Sequence, residues 1–87
     1  MNLAEAIRYE RLLRNIKQDE LARALNMAGK SRVSMWENGK AIPDDQQLRA
    51  LEKFFGITNK SLLRLKAQYQ IQLYRAEIDL LKRRWDL

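Results

Sequence analysis

Apolar residues recur at helical spacing along almost the whole chain, and a few residues break that pattern into short lengths. Leu3, Ile7, Arg11 and Leu12 mark one stripe, in which Arg11 is the odd polar member; Leu21, Ala22 and Leu25 mark the next. No stretch of five or more residues alternates as a half-buried strand must. The breaks are residues that tolerate a left-handed or fixed backbone. Asn15 ends a first helix over about 3–14, and Asn26 ends a second that opens at Lys17-Gln18-Asp19-Glu20 with acids in its first turn. Met27-Ala28-Gly29 makes a short turn, and a third helix over about 30–38 stops at Asn38-Gly39. The single proline, Pro43, lies in the next loop. Asp44 and Gln47 form a capping box for a fourth helix ending at Phe55-Gly56, and Thr58 is the expected cap of a fifth. From Asn59 to Trp85 there is no glycine and no proline, so the fifth helix runs either unbroken to the end or through a join near Lys66 to Gln68. The expected fold is all-α: five helices, the last long and amphipathic.

The 87 residues suffice for one small domain with a thin core. There is no run of 18 apolar residues, and the start Met1-Asn2-Leu3-Ala4-Glu5-Ala6 lacks the layout of a signal peptide. The chain has neither cysteine nor histidine. That removes disulfides, thiolate metal sites, the commonest general base and the commonest metal ligand. The three glycines stand apart at 29, 39 and 56, so no phosphate-binding loop exists. The expectation is a cytoplasmic protein that is not an enzyme, carries no cofactor and does not enter membranes. Lysine and arginine number 17 against 11 acids, a net charge of +6. Such an excess favours a polyanionic partner through counterion release, although many soluble proteins are basic without one.

The second and third helices, joined by a tight turn, carry the functional reading. Leu21, Ala22 and Leu25 face inward from one, Val33 and Trp36 from the other, and the small Ala22 permits a close crossing. The opposite face of the third helix carries Lys30, Ser31, Arg32 and Ser34. A helix with such a face fits a DNA major groove about 12 Å wide. Gln18-Asp19-Glu20-Leu21-Ala22-Arg23-Ala24-Leu25, followed by Val33-Ser34-Met35-Trp36-Glu37-Asn38-Gly39-Lys40, resembles the lambda repressor and Cro type (Xre-like) of helix-turn-helix. Pro43, Leu48, Leu51 and Phe55-Gly56-Ile57 resemble the same family's fourth helix, so the likeness covers about residues 3–65. Two departures stand out. The interval from Leu21 to Val33 is one residue longer than the family's, which shifts by one position which of Lys30, Ser31 and Arg32 leads the third helix. Glu52 occupies a place the family gives to a small residue, either facing solvent or pairing with a nearby base.

The resemblance implies roles for particular residues. Lys30, Ser31 and Met35 stand where the family meets base edges, and Arg32 and Ser34 are candidates for base or phosphate contact. Gln18 matches a glutamine that meets a phosphate at the start of a helix, a place that suits anions in any fold. Asn38 and Lys40 match phosphate-contacting positions, and Arg23 is either a further one or a solvated charge. Met35 could also pack inward. Trp36 reads as core, and Glu37 as a structural acid that holds a helix end or pairs with an arginine. Arg8, Arg11 and Arg14 form a basic stripe on the first helix that reads as a solvated face.

Beyond the resemblance, Ile71, Tyr74, Ile78, Leu81 and Trp85 alternate intervals of three and four, the a/d spacing of a helix–helix seam. Leu62, Leu65, Tyr69, Leu73, Ala76 and Leu80 form a second stripe. One stripe can dock on the domain and the other then marks an interface, unless both fold back onto the chain's own small core. The expected organisation is a DNA-binding domain at 1–66 and a dimerisation helix at 67–87, with Tyr69, Ile71, Leu73, Tyr74, Ile78, Leu81 and Trp85 in the interface. Lys82-Arg83-Arg84 reads as a solvated helix terminus. The resemblance implies a transcriptional regulator, a repressor of bacterial or phage type on double-stranded DNA, and the seam makes it a homodimer expected to read an inverted-repeat operator. An antitoxin or other interaction module, whose last helix binds a different protein, is the alternative.

Overall fold

A computed structural model describes residues 1–85, apart from the side chains of Leu81, Arg84 and Trp85. Five helices succeed one another: α1 (Leu3–Leu13), α2 (Gln18–Ala24), α3 (Ser31–Glu37), α4 (Asp45–Phe55) and α5 (Ser61–Trp85). The breaks between them have the chemistry read from the sequence. Asn15 (φ 55°) and Asn26 (φ 58°) take the left-handed conformation that ends α1 and α2, as Gly39 and Gly56 (both φ 73°) do after α3 and α4. Asn2 and Asp44 cap α1 and α4 with reciprocal bonds to Glu5 and Gln47. For α2 only half of that box exists: Glu20 accepts from the Lys17 N–H at 3.4 Å, and a lysine side chain has nothing to accept with.

The core draws on every helix. Ala6 and Ile7 of α1, Leu21 and Ala22 of α2, Val33 and Trp36 of α3, Leu48, Leu51 and Phe55 of α4 and Leu62 of α5 are buried together. Leu3, Ile16, Leu25, Met27, Ile57 and Leu65 close it at the edges. Burying an aliphatic or aromatic side chain contributes roughly 1.5–3 kcal/mol, so this cluster dominates the stability of the domain.

Three charged residues correct the sequence reading. Arg11 is not part of a solvated stripe; it is buried at 8% exposure. Its guanidinium donates through Nε and Nη2 to the Glu37 carboxylate at 2.7 and 2.9 Å, and through Nη1 to the Ile16 carbonyl at 2.8 Å. Glu52 neither faces solvent nor pairs with a base. It is 6% exposed, and its Oε2 accepts from the N–H groups of Leu62 and Leu63 at 3.0 and 3.2 Å. The first-turn N–H groups of α5 therefore find their acceptor on α4. This also replaces the expected cap at Thr58: α5 starts three residues later, at Ser61, where the Asn59 side chain accepts from the Ser61 N–H at 3.1 Å. Arg14 leaves the stripe as well, lying 4.7 Å over the Phe55 ring and donating to the Phe55 carbonyl. Arg8 alone of the three is exposed without a partner in the described residues.

No join interrupts α5, so the boundary expected at 66/67 falls inside a continuous helix. Its first turns pack on α1 and α4, with Leu62 buried and Leu63, Leu65 and Lys66 half-buried. Lys66 reaches Asp45 at 3.0 Å. Beyond that point the domain is too short to cover the helix, and the molecule extends to 54 Å against 26 and 20 Å across. The second stripe docks only through Leu62 and Leu65; Tyr69, Leu73, Ala76 and Leu80 are exposed.

Candidate nucleic-acid interface

Seven residues make α3, a length of about 10 Å that would be marginal as an isolated helix. Its orientation is set by the groups behind it. Val33 and Trp36, 0% and 1% exposed, fill the core. Glu37, one step further along the same side, is gripped by Arg11 from α1. The Gln18 side chain donates its amide to Glu37 Oε1 at 3.1 Å. One carboxylate thus ties α1, α2 and α3 together. The hydrogen bond to Glu37 holds the Arg11 guanidinium above the ordinary arginine pKa range, against the opposing desolvation, and the glutamate's charge adds to it.

With the inner side fixed, the outer side is a consistent surface. Lys30, Ser31 and Arg32 are exposed at the start of α3, and Met35 points outward at 42% exposure rather than packing inward. Ser34 is half-buried, and its hydroxyl accepts from the Asn38 amide at 3.3 Å. Lys30 and Asn38 are the caps of the helix rather than members of it, so the reading of 30–38 included one residue too many at each end. Lys30 caps without a side-chain hydrogen bond, and residues 27–30 form the turn that leads into α3. Lys40 is exposed just past the helix end.

The residues expected at phosphates sit around this face. Arg23 is exposed on α2, and Asn38 and Lys40 come directly after α3. Gln18 is the first residue of α2 and half-buried; its side-chain amide is occupied by Glu37, which leaves its backbone N–H at the helix start. Exposed Asp19 and Glu20 share that helix start, so its positive end is already partly compensated. In the last helix, Tyr69, Ile71, Leu73 and Tyr74 are exposed at 43%, 51%, 48% and 64%, and Ile78 is half-buried. The side chains of Leu81 and Trp85 lie outside the described residues.

Arg11 and Glu52 were the structural residues hidden in the sequence, and each left a signal. Arg11 continues the phase of Leu3 and Ile7, and Glu52 falls in phase with Leu48, Leu51 and Phe55. A charge in core phase demands a partner.

Two crossing helices behind a short turn, the second fixed on its inner side and polar on its outer side, define a helix-turn-helix DNA-binding domain. Residues 7–58 match the helix-turn-helix family, and the chain belongs to it, in its lambda repressor and Cro-like branch. The chain is also similar to the HTH-type transcriptional activator BcrR of Enterococcus faecalis, with 33% identity over 63 residues. That match covers 72% of this chain and 30% of the relative's length. No solved structure matches the chain. Family and fold together make this a helix-turn-helix domain, and the relative's name is that of a transcription regulator.

Proposed function

We propose that the chain binds a specific operator in double-stranded DNA by laying α3 in the major groove. Lys30, Ser31, Arg32, Ser34 and Met35 then meet base edges, while Gln18, Arg23, Asn38 and Lys40 hold phosphates. The observation that carries this reading is the two-sidedness of α3: its inner side is immobilised by Val33, Trp36 and the Arg11–Glu37 pair, and its outer side is open. Lysine donates to guanine O6 and N7, serine serves several bases, and a methionine methyl suits the thymine methyl. The protein acts as a homodimer on an inverted repeat and works on the nucleoid, in the cytoplasm. Occupancy of an operator that overlaps a promoter represses, and this is the regulatory mode we favour; the relative BcrR is called an activator.

Selection of bound DNA from a random pool tests the whole reading. The expected product is an inverted repeat with half-sites one helical turn, roughly 10 bp, or a multiple of it apart. An unenriched pool would refute sequence-specific binding. Lys30→Ala should relax preference at one base position and cost about 1–3 kcal/mol on the selected site. Normal binding by that variant would show that another residue leads the recognition helix. The exposed apolar half of α5 favours one second reading, an antitoxin or similar module whose last helix binds a different protein. Co-purification of a heterologous partner in fixed stoichiometry would select it.

A further inference from the structure

Beyond Lys66, α5 leaves the domain with an apolar seam that nothing among the described residues covers: Ile71 and Tyr74 are 51% and 64% exposed. With Ile71 and Ile78 at a and Tyr74 at d, the flanking positions are set by the sequence. Arg75 and Lys82 stand at e, and Gln70 and Glu77 at g. We propose that the occupant of this seam is the α5 of a second copy lying parallel and in register, an arrangement that rests on the proposed homodimer.

The charges decide the direction. In a parallel pair each g residue faces the e residue five positions further along the partner. Glu77 then meets Lys82 of the other copy, twice by symmetry, and Gln70 meets Arg75. In the antiparallel alignment that pairs the seam residues from 71 to 81 with one another, Ile71 pairs with Leu81 and Tyr74 with Ile78. There e faces e and g faces g, so Arg75 meets its own copy and Glu77 meets its own copy. Two like-charge contacts replace two attractive ones. Within the described residues neither Glu77 nor Lys82 is engaged in an ion pair, and both are exposed. The anchoring of the first turn of α5 to Glu52 and of Lys66 to Asp45 gives both helices the same departure from their domains. A parallel pair therefore carries the two DNA-binding domains at the same end of the coil.

The natural chain lacks cysteine, which gives a direct test. In the parallel coil the two α carbons at position 71 lie within disulfide reach, roughly 4.4–6.8 Å. In the antiparallel one they lie about 15 Å apart along the axis, ten residues at the helical rise. Ile71→Cys in the full chain should therefore cross-link covalently under mild oxidation, with helicity retained by circular dichroism. In sedimentation the wild type should be a dimer at tens of micromolar. At low salt Glu77→Lys should raise the dimer dissociation constant about tenfold, and adding Lys82→Glu should restore it to within about threefold. A wild-type monomer would overturn the homodimer itself. A dimer whose Ile71→Cys form does not cross-link, or whose charge swap does not restore association, would overturn the parallel arrangement and leave the homodimer standing. A higher-order assembly would overturn the two-stranded coil.

Discussion

Replacing Arg11 with methionine removes one charge from a pair whose side chains are 10% and 3% exposed. Methionine keeps most of the length and the apolar stem, so the chief loss is electrostatic. Glu37 is left buried as a carboxylate with the Gln18 amide as its remaining side-chain donor, and the Ile16 carbonyl loses the guanidinium. Removing one partner of a buried pair costs about 3–5 kcal/mol. A chain of this length has a total stability of about 4–13 kcal/mol, so Arg11→Met should consume a large part of it. Followed through the fluorescence of buried Trp36 in urea, a loss of about 3 kcal/mol should move the midpoint by about 1–3 M. The double variant Arg11→Met with Glu37→Met removes both charges and their desolvation, and should recover to wild-type stability or better. A loss below about 1 kcal/mol for Arg11→Met, or a double variant no more stable than the single one, would refute the assignment of the pair as a buried, mutually dependent contact. Substitution is the right probe here because pH is not. With its pKa raised in the fold, Arg11 contributes stability that is fully present below the unfolded arginine range and lost only above it, at strongly alkaline pH.

The same geometry sets three other outcomes. Lys40→Ala should weaken binding to all DNA sequences alike and lower the steepness of the salt dependence by about one unit; equal salt slopes in wild type and variant would remove Lys40 from the phosphate contacts. Glu52→Ala should cost about 1–2 kcal/mol in urea unfolding and speed amide exchange at Leu62 and Leu63, whereas unchanged exchange there would show that α5 is capped by other means. Lys30→Ala should alter the selected sequence without altering the urea midpoint, because Lys30 makes no side-chain hydrogen bond in the fold; a stability loss above about 1 kcal/mol would assign it a structural task.

The parts of this fold that could be read from the chain are those governed by local chemistry. Asn15, Asn26, Gly39 and Gly56 end helices because a left-handed residue stops the helical ladder, and that depends on the residue itself. Asp44 and Gln47 cap α4 within four residues of one another. Val33 and Trp36 could be placed inward by their spacing. The residues read incorrectly depend on partners distant in sequence. Arg11 finds Glu37 26 positions away, and Glu52 finds the start of α5 ten positions away. Both lie in phase with the apolar residues of their helices, and only the three-dimensional arrangement supplies the acceptor and donors that make a buried charge tolerable. The extent of docking of α5 was illegible for a related reason: its apolar pattern continues after the domain that covers it ends.

The recognition surface and its scaffold answer to different physics, and the difference explains where the two charges lie. Burial of Val33 and Trp36 holds α3 against the core, but apolar burial is non-directional and leaves a seven-residue helix able to roll. A bidentate arginine–carboxylate contact is directional, because its planar fork fits in one orientation. Placing that contact on Glu37, at the last turn of α3 and away from Ser31 and Met35, fixes the azimuth of the outer face without occupying any of it. Gln18 on the same carboxylate transmits the constraint to the first residue of α2, so the residue proposed at a phosphate and the helix proposed in the groove move as one piece. The start of α3 is held differently. Lys30 caps it with no side-chain bond, and Ser31 and Arg32 are exposed beside it. The helix is thus fixed through Val33, Trp36 and Glu37, while Lys30, Ser31 and Arg32, which are proposed to meet the bases first, stand exposed at its start.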